Sequence, residues 1–506
     1  MARYRLTIDT GGTFSDLVLL DEETGRTRVV KAPSTPDQPS RAVFDGLRLL
    51  ALDGVDLRDI ALFFHGTTVA TNALLEERGA RVGLAITEGF RGVYEAMEQS
   101  RPFGRTLFDL QFTKPALLAP QRRTAEIAER VGADGGVIRE LDASSIDEAI
   151  ARFEAEGVEA VAICLLFSFM NPAHEQAVRD AIVARRPEWW VSASSDLIPQ
   201  IREYFRLSTT VINAYASPVL GRYVADLERQ LDSQGVAPGR RFTMQSNGGS
   251  TPLLRTSEAA AATILSGPAG GVTAGVALAA ELGVPNLITF DMGGTSCDVA
   301  LIQGGLPATT SRSRIGGRDI ALQMLDINTV SAGGGTLARV DAQGALHLGP
   351  ESAGAVPGPV AYARGGSVPT ITDADVVLGY LNPTALLGGA LPIDAPAARR
   401  AVQARVADPL GVDLMRAADG MVKIVNVKMA EAIKAISTHR GYDLRDFALV
   451  PFGGAGPVHA SQIAVDLGIA EVIVPRVPGV LSAQGLMLSN VRHDHVRSRL
   501  SPIEGL

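Results

Sequence analysis

The stretch "DTGGTFSD" at residues 9–16 returns far downstream as "DMGGTSCD" at 291–298. Asp9, Gly11, Gly12, Thr13 and Asp16 recur in register as Asp291, Gly293, Gly294, Thr295 and Asp298. The flanks recur too: "YRLTI" and "NLITF" lead in, "LVLL" and "VALI" lead out. Apolar runs on both sides of a Gly-Gly turn read as strand, tight turn, strand. A repeat at so long an interval implies two similar lobes and not a stack of short units. With 506 residues the chain is also too long for one core and should divide.

Around these loops, apolar strands alternate with amphipathic helices, as in "SRAVFDGLRLLALDG", "RVGLAIT", "SIDEAIARFEAEG" and "AVAICLLFSF". Such alternation predicts an α/β fold of mainly parallel strands covered by helices. "ALFFHGTTVATNALLEERGA" reads as a strand, a turn at His65 to Thr68, and a helix. A long helical pattern near 200–232 reads as a crossing between lobes, and the Gly/Pro-rich stretch 331–369 as an ordered insertion or surface excursion. The expected organisation is a first lobe over 1–200 and a second over 201–490. Residues 491–506 would then be the start of a C-terminal region. A net charge of −8 without a Lys/Arg run argues against a nucleic-acid surface. Cys164 and Cys297 form no Cys-x-x-Cys pair, the N-terminus enters a strand at once, and no apolar run approaches about 18 residues. These features lead us to expect a cytoplasmic protein.

A turn of Asp-x-Gly-Gly-Thr suits a polyphosphate. Glycines let backbone N–H groups approach oxygens, the Thr hydroxyl adds a donor, and the leading Asp can hold magnesium through its water shell. The expected phosphate contacts are Thr10, Gly11, Gly12 and Thr13 in the first copy and Gly293, Gly294 and Thr295 in the second. Asp9 and Asp291 are the expected catalytic and magnesium-orienting groups, with Asp16 and Asp298 closing the hairpins. A third glycine loop, "PFGGAGPVHA", turns from a strand into a helix. Gly453, Gly454, Ala455 and Gly456 would there form a nucleoside site at a helix N-terminus, with His459 close behind. His65, at a strand end expected to face a cleft, is a candidate catalytic residue. Thr67, Thr68 and Asn72 beside it are candidate substrate contacts. The "RHDH" run at 492–495 offers two histidines without a third ligand, short of a zinc site. Cys297 reads as a small buried residue.

The ordered blocks of the chain resemble one family. "DTGGTFSDLVL", "HGTTVATNALLE", "STTVINAY", "QSNGG", "ILSGPAGGV", "FDMGGTSCDV", "AGGGTLARVD", "RGYDLRDFALVPFGGAGPVHA" and "PGVLSAQGLMLSNVRHD" are similar to the hydantoinase A and 5-oxoprolinase family. That family includes N-methylhydantoinase A and the ATPase subunits of acetone and acetophenone carboxylases, within the actin, hexokinase and chaperone ATPase superfamily. The resemblance implies two related actin-like ATPase lobes with ATP and magnesium in the cleft between them. It implies an ATP-dependent cyclic amide hydrolase subunit that phosphorylates the carbonyl oxygen of a hydantoin, 5-oxoproline or lactam. Ring opening would need a B-type partner chain, so the isolated chain is expected to bind nucleotide without turning substrate over. A ketone carboxylase subunit is the alternative, and a nucleotide-switched actin-like binding protein a third reading. Phe205 and Asn328 depart from the family pattern, where Glu and His are usual.

Overall fold

The computed structural model describes residues 3–11, 14–33, 39–97, 108–389, 391–498 and 500. β1 (Tyr4–Thr10) and β2 (Phe14–Asp21) form the first hairpin, and β3 (Thr27–Pro33) extends it antiparallel. After α1 (Pro39–Leu52), β4 (Ile60–Thr67) pairs parallel with β1 and leads into α2 (Val69–Leu75). β5 (Val82–Thr87), β6 (Thr124–Ile127), β7 (Ala160–Cys164) and β8 (Trp190–Ala193) make a separate four-stranded parallel sheet in the order β8–β7–β5–β6. Helices α3 (Ala143–Ala155) and α4 (Ala173–Arg185) pack on it through Ile146, Ile150, Phe153, Val178 and Ile182.

The long helix α5 (Glu203–Ser233) is buried on nearly every face over its first half, because it runs through the first-lobe core and not along its surface. It is followed by β9 (Arg241–Met244) and β10 (Ser250–Pro252), which join the first sheet in the order β10–β9–β4–β1–β2–β3. Strands from beyond residue 200 thus complete the first sheet, and α5 packs into the core beneath it. The cause is a non-local pairing, β9 lying parallel to β4 with Thr243 opposite His65.

α6 (Ser266–Leu282) leads into the second hairpin, β11 (Leu287–Met292) and β12 (Cys297–Gln303). β13 (Leu306–Pro307) and, further on, β16 (Ile327–Val330) both flank β12 antiparallel. Between them, β14 (Ser313–Ile315) and β15 (Arg318–Ile320) form an arm that reaches back to the first lobe. Ile315 and Ile320 are part of the first-lobe core. Ser208 of α5 donates to the Asp319 carbonyl (2.7 Å), and Tyr204 donates to its carboxylate (2.9 Å). The second sheet is completed by β17 (Ala448–Phe452), parallel to β11, and by β18 (Glu471–Val472). Helices α7 (Ile371–Leu378), α8 (Leu414–Ile436) and α9 (Gly456–Leu467) cover it.

The two sheets thus share one design. An antiparallel hairpin is flanked on one side by an antiparallel strand and on the other by two parallel strands, the first of which opens into a helix (β4–α2 and β17–α9). Between the sheets runs a third core, in which α6 and the last helix, α10 (Leu481–Met487), meet Phe64, Met244, Leu287 and Phe452. Their contact is backbone on backbone: a Cβ on Gly485 would lie 1.8 Å from the Gly270 carbonyl oxygen. No single helix among the described residues is long and apolar enough to cross a membrane.

Candidate active site

Register places the chemistry. Asp9 lies opposite Asp16 in the first hairpin, and Asp291 opposite Asp298 in the second. Each turn closes alike, Gly11 N–H donating to the Phe14 carbonyl (3.0 Å) and Gly293 N–H to the Ser296 carbonyl (3.1 Å). Gly12 and Thr13 lie outside the described residues. On the parallel side, Asp9 neighbours Gly66 and Asp291 neighbours Phe452, just before Gly453. Both glycines are obligatory. A Cβ on Gly66 would sit 2.7 Å from Asp9 Oδ1, and one on Gly453, whose φ is +79°, would sit 2.4 Å from Asp291 Oδ1.

The leading carboxylates are both buried, and Asp291 also feels the first-lobe charges. Burial pushes Asp9 up to about 7, with the charge of Asp16 adding and that of Lys31 opposing. Burial likewise pushes Asp291 up to about 7, with Asp298 adding, a hydrogen bond from Ser482 opposing, and Asp9 and Asp16 adding further. Asp298 rises to about 6 by burial, against hydrogen bonds from Thr329 and Ser296. Asp16 is raised by burial, against its ion pair with Lys31 (2.5 Å). Four acidic groups with one nearby lysine leave negative charge uncompensated, and a divalent cation fits that deficit. Among the described residues no three His, Cys, Asp or Glu side chains are grouped to cage an ion directly. The residues therefore fit magnesium held through water and phosphate oxygens, in its usual manner.

The second turn has a backbone buttress at the start of the Gly/Pro-rich stretch 331–369. "SAGGGT" (331–336) stacks on it: Gly334 N–H donates to the Gly293 carbonyl (3.0 Å) and Gly335 N–H to the Gly294 carbonyl (2.7 Å). Thr372 of α7 anchors the other side, its hydroxyl donating to the Gly334 carbonyl (2.9 Å). Thr295 stands exposed at the tip. The third loop closes against the same hairpin, Ala455 N–H donating to the Met292 carbonyl (3.0 Å), with Gly454 exposed and Gly456 opening α9. The structure therefore brings Asp291, Gly293, Gly294, Thr295 and Gly453 to Gly456 together. On the opposing side it sets Asp9 and Gly11.

Some candidates face elsewhere. The expected strand-end position of His65 is corrected: β4 runs on through Thr67, so His65 lies inside the strand and is 0% exposed. Its Nδ1–H donates to the Ile8 carbonyl (3.0 Å), its Nε2 accepts from the Tyr223 hydroxyl (2.6 Å), and burial holds it down at about 4, hence neutral. The Thr10 and Thr67 side chains are buried beside Tyr223, so Thr10 offers the cleft only its backbone. Thr68 Oγ1 donates to the Thr10 carbonyl (3.4 Å), and the exposed Asn72 donates to Thr68 (3.3 Å), so these two remain beside the first turn. His459 is buried in α9 against Asn426 (2.9 Å). Asp494 of "RHDH" is taken up by Arg492 and Asn247 (2.9 and 2.7 Å). Cys297 is buried, its thiol raised well above the ordinary range by desolvation. Phe205 stacks beneath the Arg312 guanidinium (4.1 Å), and Asn328 donates to the Ala432 carbonyl (3.0 Å). Lys31 and Ser482 escaped the sequence reading. Lys31 is signalled only by the β2–β3 register, which sets it opposite Asp16, and Ser482 has no spacing signal.

Twin hairpins on duplicated sheets, joined by an inter-lobe helix pair, define a two-lobed α/β fold shared with the acetone carboxylase and caprolactamase structures. The model of the hydantoinase/oxoprolinase N-terminal region matches residues 5–185, and that of hydantoinase/oxoprolinase matches 206–495. The chain belongs to the hydantoinase/oxoprolinase family. Caprolactamase subunit alpha of Pseudomonas jessenii is 40% identical over 98% of this chain and 71% of its own length. The acetophenone carboxylase gamma subunit of Aromatoleum aromaticum is 35% identical over 98% of this chain and 69% of its own. The nucleotide-free acetone carboxylase structure superposes with a TM-score of 0.85 at 29% identity, covering 97% of this chain and 71% of that one.

Proposed function

We propose that this chain is the ATP-using subunit of a cyclic amide hydrolase, phosphorylating the carbonyl oxygen of a lactam, hydantoin or 5-oxoproline. The observation that carries the reading is the pair Asp9 and Asp291, each heading a Gly-Gly turn of the sequence and each pushed up to about 7 by burial. Phosphoryl transfer demands little covalent chemistry from a protein; it demands positioning and charge neutralisation. Backbone N–H groups of the two turns would hold the phosphates, the loop 453–456 the nucleoside, and Asp9 and Asp291 a magnesium ion through water. Thr68 and Asn72, beside the first turn, would meet the amide. An amide is a poor electrophile. Transfer of the γ-phosphoryl group to its oxygen, with release of ADP, leaves a phosphorylated imidate whose carbon water can attack. The hydrolytic half would fall to a B-type partner. The relative named caprolactamase subunit alpha supports this division.

The test follows ADP release and ring opening of caprolactam, hydantoin and 5-oxoproline, by the chain alone and with a candidate partner. Amide-stimulated ADP release only with partner is expected. Robust ring opening by the lone chain would overturn the two-component reading. The carboxylase relatives favour a second reading, an ATPase subunit acting on a ketone. That reading requires ATP use that depends on both ketone and bicarbonate.

A further inference from the structure

The block "PGVLSAQG" (478–485) has no part in the reading above, yet it meets both halves of the cleft within five residues. Pro478 accepts from Gly453 N–H of the nucleoside loop (3.0 Å), on the second lobe. The Gly479 carbonyl accepts from Lys31 Nζ (2.8 Å), the same ammonium that neutralises Asp16 on the first lobe. Ser482 Oγ then donates to Asp291 Oδ2 (3.0 Å).

The helix that carries Ser482 packs on the first-lobe sheet as well as on α6. α10 packs against β1, β2 and β4, with Val480 and Ala483 buried against Val18 of β2 and Leu486 beside Phe64 of β4. Its height is set by the glycine contact with α6, where a Cβ on Gly270 would lie 2.6 Å from the Ser482 carbonyl oxygen and one on Gly485 would strike the Gly270 backbone. With the backbone pinned in this way, the hydroxyl at 482 points at the one second-lobe carboxylate that heads the phosphate turn. A serine in the first turn of a helix ordinarily returns its hydroxyl to a local backbone group. Here it is spent on a carboxylate 191 residues away in sequence.

We propose that Ser482 is a positioning residue for Asp291, holding that carboxylate from the first lobe so that the two phosphate turns keep their relative placement. The assignment rests on the function proposed above. It makes Asp291 the member of the pair whose orientation is coupled to the other lobe, whereas Asp9 shows no such side-chain tie among the described residues.

The test compares Ser482→Ala, Ser482→Thr and Asp291→Asn in the full chain. The first readout is the magnesium dependence of binding a fluorescent ATP analogue; with partner and amide present, kcat and KM for ATP are added. Groups that orient a metal-holding side chain typically contribute about 10- to 100-fold. Ser482→Ala is therefore expected to raise the half-saturating magnesium concentration about tenfold and to lower kcat with little change in KM. Its melting temperature should stay at the wild-type value, and Ser482→Thr should restore magnesium dependence. If Ser482→Ala matches wild type while Asp291→Asn is impaired, the positioning role fails and the functional reading stands. A loss in Ser482→Ala that tracks a lowered melting temperature and is not restored by Thr means that Ser482 only packs, and the proposal falls. A silent Asp291→Asn removes the functional reading and this assignment together.

Discussion

The two phosphate turns share a register, a leading Asp and a closing Asp, but they are held in different ways. The first is balanced by charge: Lys31 pairs with Asp16, and its other contact is the Gly479 carbonyl. The second is held by backbone and hydroxyls: Gly334 and Gly335 bond its carbonyls, Thr329 donates to Asp298 (2.5 Å), and Ser482 to Asp291. The difference teaches that a duplicated loop need not keep duplicated support. One lobe carries the compensating cation, the other the rigid frame.

The sharpest way to separate the two is to neutralise each leading carboxylate. Asp291→Asn and Asp9→Asn should each lower phosphoryl transfer by about 10²- to 10³-fold while nucleotide still binds, read as kcat against analogue affinity. Unequal losses would identify the lobe on which the transition state leans harder. Breaking the frame comes next. In Gly333→Ala the new Cβ would meet Gly294 and Thr295 backbone atoms at 2.6 to 2.7 Å, costing about 1–3 kcal/mol of stability as overpacking. The expected signs are a lower melting temperature and weaker nucleotide binding.

Removing the cation is a milder break. Lys31→Met should cut turnover about tenfold and raise the magnesium requirement, while Thr329→Val, which removes a neutral hydroxyl donor, should do several-fold less. A pH series of melting temperatures without nucleotide or magnesium sharpens the charge argument. Asp9 and Asp291 hold their protons in the fold up to about pH 7 but release them near 3.8 when unfolded. The folded state thus binds more protons between these values. Stability should fall as pH rises from about 4 to about 7, and Asp291→Asn should flatten that fall. His65 works with the opposite sign: neutral in the fold down to about 4, it costs stability as pH drops below its unfolded value. The smallest effect on chemistry is expected from His65→Gln, which should lower the melting temperature and leave the substrate response intact. A changed substrate response at wild-type stability would return His65 to the site.

Much of this was legible in the chain. The two strand hairpins headed by Asp9 and Asp291 and the glycine loop after β17 follow from local pattern, because a strand–turn–strand is specified by its own residues. Pairings between distant strands are not. β9 joining β4 carries no signal in either strand, so the sequence does not show that the first sheet recruits strands from beyond residue 200. His65 was misread because "HGTT" has the composition of a turn, yet pairing with β1 and β9 keeps it in the strand with its ring turned inward. Lys31 and Ser482 act through register and helix placement, which composition does not record.

The arm β14–β15 has a consequence for how the molecule comes apart. Ile315 and Ile320 are donated by one lobe to the interior of the other, and Arg318 adds bonds to Glu77 and the Ala116 carbonyl (2.6 and 3.0 Å). Neither lobe can melt without uncovering apolar surface of its neighbour, so heat should produce one calorimetric transition rather than two. For the same reason a fragment ending at Pro252 would lack part of its own interior, and adding back a peptide spanning the arm should rescue its solubility.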